Sequence, residues 1–199
     1  YRPDTITLNS DLPDFKLDQN SDWARHLTLF DLYRKAHTPW NWIERMFERA
    51  TQINLPIFAS PFDSSSVSFL EGLGCPMYKI ASPEITDHGL IEVCAKTKKP
   101  VILSTGLASR CDLDSAMSVL AKHSSSKMIL KCVSAYPTVL EDMNVSSIPW
   151  LANLYNIVVG LSDHSVGSEA AVAATALGAR LIEKHFRLDD DDRSVDSHF

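Results

Sequence analysis

From residue 56 onward, short β-rich apolar runs alternate with stretches of helical pattern, and this alternation leaves the chain very few folds. The runs are Pro56-Ile-Phe-Ala-Ser60, Met77-Tyr-Lys-Ile-Ala-Ser82, Val101-Ile-Leu-Ser-Thr-Gly106, Met128-Ile-Leu-Lys-Cys-Val-Ser134, Ile157-Val-Val-Gly-Leu-Ser-Asp163 and Leu181-Ile-Glu-Lys-His-Phe186. Each has the length and composition of a strand buried on both faces, as in a parallel sheet. Their starts lie roughly 20–30 residues apart, the length of one βα unit. The segments between them read as helices. Thr38 offers an N-cap hydroxyl and Pro39 a first helical position. Trp42, Ile43, Met46, Phe47 and Ala50 then recur on one face, and Leu113, Ala116, Met117 and Leu120 repeat the pattern. Residues 169–177 are alanine-rich, with Gly178 placed to stop the helix. Residues 1–37 read as an irregular loop region and residues 38–199 as one run of βα units, with no second domain.

Repeated βα units demand an α/β fold with a parallel sheet. Periodicity alone fits either a doubly wound sheet or a (β/α)₈ barrel. The strand ends favour the barrel. Ser60, Ser82, Ser104, Thr105, Ser134, Ser162, Asp163, His164 and His185 all fall at the carboxyl ends of their runs, the active face of a barrel. An open sheet would gather them at one switch point. The expected fold is a partial barrel with two strands missing.

Bulk properties exclude several classes. The net charge is −6, with 45% hydrophobic and 22% charged residues. No basic face for nucleic acid is visible. The apolar runs are too short to span a bilayer, and no signal peptide is evident. The four cysteines form no C-x-x-C pair, so reduced thiols in a cytoplasmic protein are expected.

The chemistry concentrates at the strand ends. Ser162 and His164 share one parity, Glu183 and His185 another, and Ser134 and Tyr136 a third, so each set can converge on one pocket. Two imidazoles on neighbouring strands can hold a catalytic metal with positions left open. Lys79 lies inside an apolar run and calls for an anion. The hydroxyls of Ser82, Ser104, Thr105 and Ser162, with Gly106, can surround a phosphate. Taken singly, each histidine also reads as a hydrogen-bonded core residue and each serine as a helix cap; the constellation points to a site for an anionic, phosphorylated small molecule. The run Asp189 to Asp192 reads as a solvated loop. Trp40 and Trp42 read as helix-face packing, and Asp142 as a cap.

Several motifs resemble the sialic acid synthase family of nonulosonate synthases. They are Met77-Tyr-Lys-Ile-Ala-Ser-Pro-Glu84, Ile102-Leu-Ser-Thr-Gly106, Lys131-Cys-Val-Ser-Ala-Tyr-Pro-Thr138, Gly160-Leu-Ser-Asp-His-Ser-Val-Gly167 and Ala179-Arg-Leu-Ile-Glu-Lys-His-Phe186, in order along the whole chain. The segment from Leu32 to Trp42 looks most like the pseudaminic acid synthase branch. The resemblance implies a (β/α)₈ barrel followed by a small antifreeze-like domain. It implies condensation of phosphoenolpyruvate with an open-chain N-acetylated amino sugar, giving a nine-carbon 2-keto acid and phosphate. It also implies a divalent manganese or magnesium ion on His164 and His185. Carried over position by position, Lys79, Ser82, Ser60, Ser104, Ser134, Tyr136 and Ser162 match phosphoenolpyruvate contacts, and Glu84, Glu183 and Asp196 match positions near the sugar and metal.

Some positions depart from the family. Ser134 stands where sialic acid synthases often carry asparagine, and Ser197 where they favour histidine; both suit the pseudaminic branch. Arg193-Ser-Val-Asp196 lacks the usual double glycine. On the resemblance, barrel strands 3–8 are present, strands 1–2 would precede Tyr1, and the antifreeze-like domain would follow Phe199. The chain alone is then expected to be inactive, and the full-length protein a cytoplasmic homodimer without membrane or nucleic-acid partners. N-acetylneuraminate and legionaminate synthases are the alternatives within the family. A metal-dependent hydrolase and a non-catalytic barrel fragment are those outside it.

Overall fold

The computed structural model describes residues 1–18, 20, 26–123 and 126–187, and the chain divides into two compact units, Tyr1–Pro76 and Met77–Phe199.

The first unit is helical: α1 Pro3–Ile6, α2 Leu29–Ala36, α3 Trp40–Gln52 and α4 Ser64–Gly72. Phe47 and Ala50 of α3 and Val67 and Leu70 of α4 are buried. Trp40 stacks on Phe69 with ring centroids 4.2 Å apart, the packing role expected of it. Four expectations change here. Residues 1–37 are not simply irregular, because α2 forms within them, started by the Thr28 side chain accepting from the Asp31 N–H. Pro39 is the N-cap of α3 rather than its first helical residue, and Thr38 supplies no cap. Of the expected apolar face of α3, Trp42 and Met46 stay exposed. The run Pro56 to Ser60 forms no laddered strand among the described residues. Pro56 and Pro61 bracket it and lack the N–H groups that a ladder needs.

The second unit is the expected α/β structure. Its strands are β1 Tyr78–Ile80, β2 Val101–Ser104, β3 Lys127–Cys132, β4 Val158–Asp163 and β5 Ile182–Lys184. They pair in sequence order, all parallel, so five strands rather than six make the sheet. The connections run through α5 His88–Lys96, α6 Arg110–Ala121, α7 Ser147–Tyr155 and α8 Glu169–Ala176. Leu113, Ala116, Met117 and Leu120 of α6 are all buried, and Gly178, at φ 99°, follows α8 as expected. Strand order without a reversal is that of a barrel wall, not of a doubly wound sheet.

One contact shows that this sheet is strongly curled. Lys79 on β1 and Glu183 on β5 form an ion pair at 3.2 Å across opposite edges of the sheet. In a flat sheet four inter-strand steps would separate them by roughly 19 Å. A lysine and a glutamate together reach only about 10 Å. The interior of the curl is where the strand-end residues meet. Gly160 permits close approach on its wall: a Cβ there would lie 2.4 Å from the Leu181 carbonyl oxygen and 2.7 Å from Leu130 Cδ2.

Among the described residues, no helix is long and apolar enough to cross a membrane. None of the four cysteines is in a disulfide.

Candidate active site

The register of β3, β4 and β5 sets the floor of the site. Cys132 lies opposite Ser162, and Ser162 opposite Glu183. In-register neighbours in parallel strands face the same side, and here that is the concave side. Ser162 Oγ donates to Glu183 Oε1 at 2.6 Å, and the same oxygen receives Lys79 Nζ. The Lys79 side chain is 13% exposed, and its counter-ion is the carboxylate of Glu183 on the opposite edge strand.

Beside this chain sits a cluster of hydroxyls. Ser82 Oγ accepts from the Gly106 N–H at 3.0 Å and lies 3.6 Å from Cys132 Sγ. Ser104 Oγ and Ser134 Oγ are buried without a hydrogen-bond partner, as is Glu84 Oε2. Buried hydroxyls are normally satisfied, so these orphans mark places where a ligand's acceptors fit. Gly106 keeps the space open: a Cβ there would lie 2.2 Å from Ser134 Oγ, 2.9 Å from Ser82 Oγ and 3.0 Å from Cys132 Sγ. Burial raises the Glu84 pKa above the ordinary carboxylate value, outweighing its own backbone N–H and Lys79.

The two histidines come together. Their ring centroids are 5.3 Å apart, edge to face, and Tyr136 packs on both, 4.1 Å from His164 and 5.8 Å from His185. His164 is 5% exposed and its Nδ1 donates to the Val133 carbonyl at 2.7 Å, which makes Nε2 the acceptor nitrogen of the neutral ring. Burial lowers the His164 pKa, but bonds to Cys132 and Val133 and the charges of Cys132 and Glu183 reverse this and raise it overall. Ligation at ~2.1 Å per nitrogen, at tetrahedral or octahedral angles, puts two ring centroids about 5 Å apart, which is the spacing of these two rings. Among the described residues no third histidine, cysteine or carboxylate joins them in a ready-made cluster.

Within the second unit, two expected residues point elsewhere. Thr105 turns away, its hydroxyl donating to the Leu130 carbonyl at 3.1 Å on β3. Asp163 faces the opposite side of β4 and is fully buried. Ser60 is half-buried in the first unit. Asp196, Ser197 and the acidic run from Asp189 lie outside the described residues.

The sequence matches the family model described as the NeuB family across residues 1–199. The chain belongs to the NeuB family. It is 45% identical over 200 residues to the pseudaminic acid synthase of Helicobacter pylori and 44% identical to that of Campylobacter jejuni, each match covering 100% of this chain and 58% of the relative. The chain therefore spans 58% of the length of these relatives. A crystal structure of N-acetylneuraminic acid (sialic acid) synthetase from Leptospira borgpetersenii, in complex with citrate, is similar at a TM-score of 0.82 and 35% identity. That match covers 85% of this chain and 60% of the other.

For this NeuB-family chain, two site residues escaped the sequence reading. Cys132 sits among the hydroxyls, its pKa lowered because bonds with His164, Ser82 and Ser162 outweigh burial. Its parity with Ser134 was the available signal. Thr138 holds the histidine loop: its N–H donates to the His164 carbonyl at 2.9 Å. Only the fold brings those two segments together.

Proposed function

We propose that this chain carries the phosphoenolpyruvate and metal sites of a pseudaminic acid synthase, its five parallel strands forming part of the wall of a (β/α)₈ barrel. The observation that carries the reading is the meeting of Lys79, Glu183 and Ser162 beside two imidazoles 5.3 Å apart. The 44–45% identity to relatives of that name supports the choice of branch.

In this reading Lys79 and the hydroxyls of Ser82, Ser104 and Ser134 receive the phosphate and carboxylate of phosphoenolpyruvate. An ammonium in a dry site stabilises anionic oxygens far more than in water. His164 and His185 would hold a manganese or magnesium ion, which would supply Lewis-acid polarisation of the sugar aldehyde. Tyr136, packed on both rings, joins the phosphoenolpyruvate side of the site to the imidazole pair. Glu84 and Asp196 orient the N-acetylated amino sugar, and Glu183 keeps Lys79 and Ser162 aligned. The methylene carbon of phosphoenolpyruvate bonds to the aldehyde carbon as the C=O π pair moves onto its oxygen; water adds to the resulting cationic carbon, its proton passing to that alkoxide oxygen; the carbon–oxygen bond to phosphate then breaks, leaving the 2-keto group and free phosphate. The site's contribution is placement and fixed charge.

The test is product identification by mass spectrometry, using full-length protein, phosphoenolpyruvate and a panel of N-acetylated amino-hexoses. The expected result is a nine-carbon 2-keto acid formed fastest from a diacetamido acceptor. Preference for N-acetylmannosamine would move the assignment to the neuraminate branch. Phosphate release without a carbon–carbon product would refute the synthase reading.

A further inference from the structure

We infer that the ion pair of Asp163 and Lys184, on the convex side of the sheet, is a positioning device that sets the span between His164 and His185. It rests on the reading of those imidazoles as a metal pair. Asp163 and Lys184 are the last register pair of the β4–β5 ladder. Each immediately precedes one of the histidines. Because side chains alternate along a strand, the pair lies behind the sheet while the imidazoles project in front.

The bonding is specific. Asp163 is 0% exposed. Its Oδ2 receives Lys184 Nζ at 3.1 Å, and its Oδ1 accepts from the Ser165 N–H at 2.9 Å and from Ser165 Oγ at 2.6 Å. Lys184 Nζ also donates to the Ser165 carbonyl. One ammonium therefore grips the residues on both sides of His164. The loop is tied a second time where Thr138 bridges to Ser165 and donates to the His164 carbonyl. His185 has left the ladder and is exposed, and the ammonium of Lys184 is the cross-strand tie just before it. Losing this tie lets the end of β5 drift relative to the anchored His164. Groups that orient metal ligands from behind typically change metal affinity 10- to 100-fold when removed.

The experiment uses histidine-labelled protein in three forms: wild type, Lys184→Met, and the double variant Asp163→Asn with Lys184→Met. The double variant retains no stranded buried carboxylate, so it carries the test where the single variant fails to fold. The first readout is metal-free: the nuclear Overhauser contact between the His164 and His185 ring protons, expected in wild type and at least halved in the folded variants. The second is calorimetric titration with manganese chloride, expected to weaken by about tenfold or more, with phosphoenolpyruvate affinity changed much less. An unchanged ring–ring contact in the folded double variant overturns the inference. A contact that responds to Lys184, in a wild type that binds no manganese, upholds the positioning role and refutes the metal reading instead.

Discussion

Lys79 is the residue whose placement says most about this site. A lysine in an apolar strand needs an anion, and it meets Glu183 at 3.2 Å rather than snorkelling to solvent. In the proposed function the same ammonium serves the phosphoenolpyruvate anion when it binds. Lys79→Ala is therefore expected to weaken phosphoenolpyruvate binding by at least ~1.5 kcal/mol, the scale of a charge-assisted hydrogen bond. Calorimetry showing unchanged affinity would remove Lys79 from the pocket. Gly106→Ala is expected to abolish measurable phosphoenolpyruvate binding while the chain stays folded, since its Cβ would occupy the space between Ser134, Ser82 and Cys132. Glu84 gives a pH signature. Its pKa is raised in the folded state above 4.5 by burial, so the folded protein holds this proton more tightly than the unfolded chain. Its contribution to stability is full below pH 4.5 and is lost as pH rises through the raised value. Glu84→Gln should remove that part of the slope from a stability–pH curve; an unaltered slope would contradict the shift.

At the scale of elements, the strands of the second unit were legible because parallel strands buried on both faces read as continuous apolar runs. Val101 to Ser104 is buried at every position and could hardly be anything else. The same rule misread Pro56 to Ser60, where flanking prolines outweigh an apolar core of three residues. The opposite error hid α2, since its Thr28-Leu-Phe-Asp31 start is a capping signal that follows a long Asp- and Pro-bearing polar stretch, which invites a loop reading. Two predictions belong here. Gly160→Ala should destabilise the chain by about 1–3 kcal/mol by pushing β4 from the Leu181 carbonyl and Leu130; chemical denaturation measures it. Asp63 caps α4, accepting from the Ser66 N–H at 2.9 Å. Its carboxyl titrates below the usual range: burial raises it, but bonds from Ser65 and Ser66 more than reverse this. Asp63→Ala should cost about 1 kcal/mol near neutrality. That deficit should shrink on acidification, as the wild-type carboxylate is protonated.

For the molecule as a whole, the sequence named most of the residues that meet but not how they meet. Parity and strand-end position drew Ser82, Ser104, Ser134, Ser162, Glu183 and both histidines into one list, because a barrel presents all its strand ends on one face, and a charge inside an apolar run added Lys79. What they left open was curvature. Nothing local in β1 or β5 says that its opposite edge returns within reach of one ion pair, since curl accumulates over the whole sheet. Thr105 shows the same limit, as an expected phosphate ligand that turns out to satisfy a carbonyl on β3. The central claim is that the paired imidazoles and the Lys79–Glu183 chain act as one site. Phosphate release from phosphoenolpyruvate tests it most directly, followed in full-length protein with an N-acetylated amino sugar, with manganese or with chelator, for wild type, His164→Ala and His185→Ala. The account predicts turnover only in wild type with both metal and sugar present; undiminished release in chelator, or in either histidine variant, would contradict it.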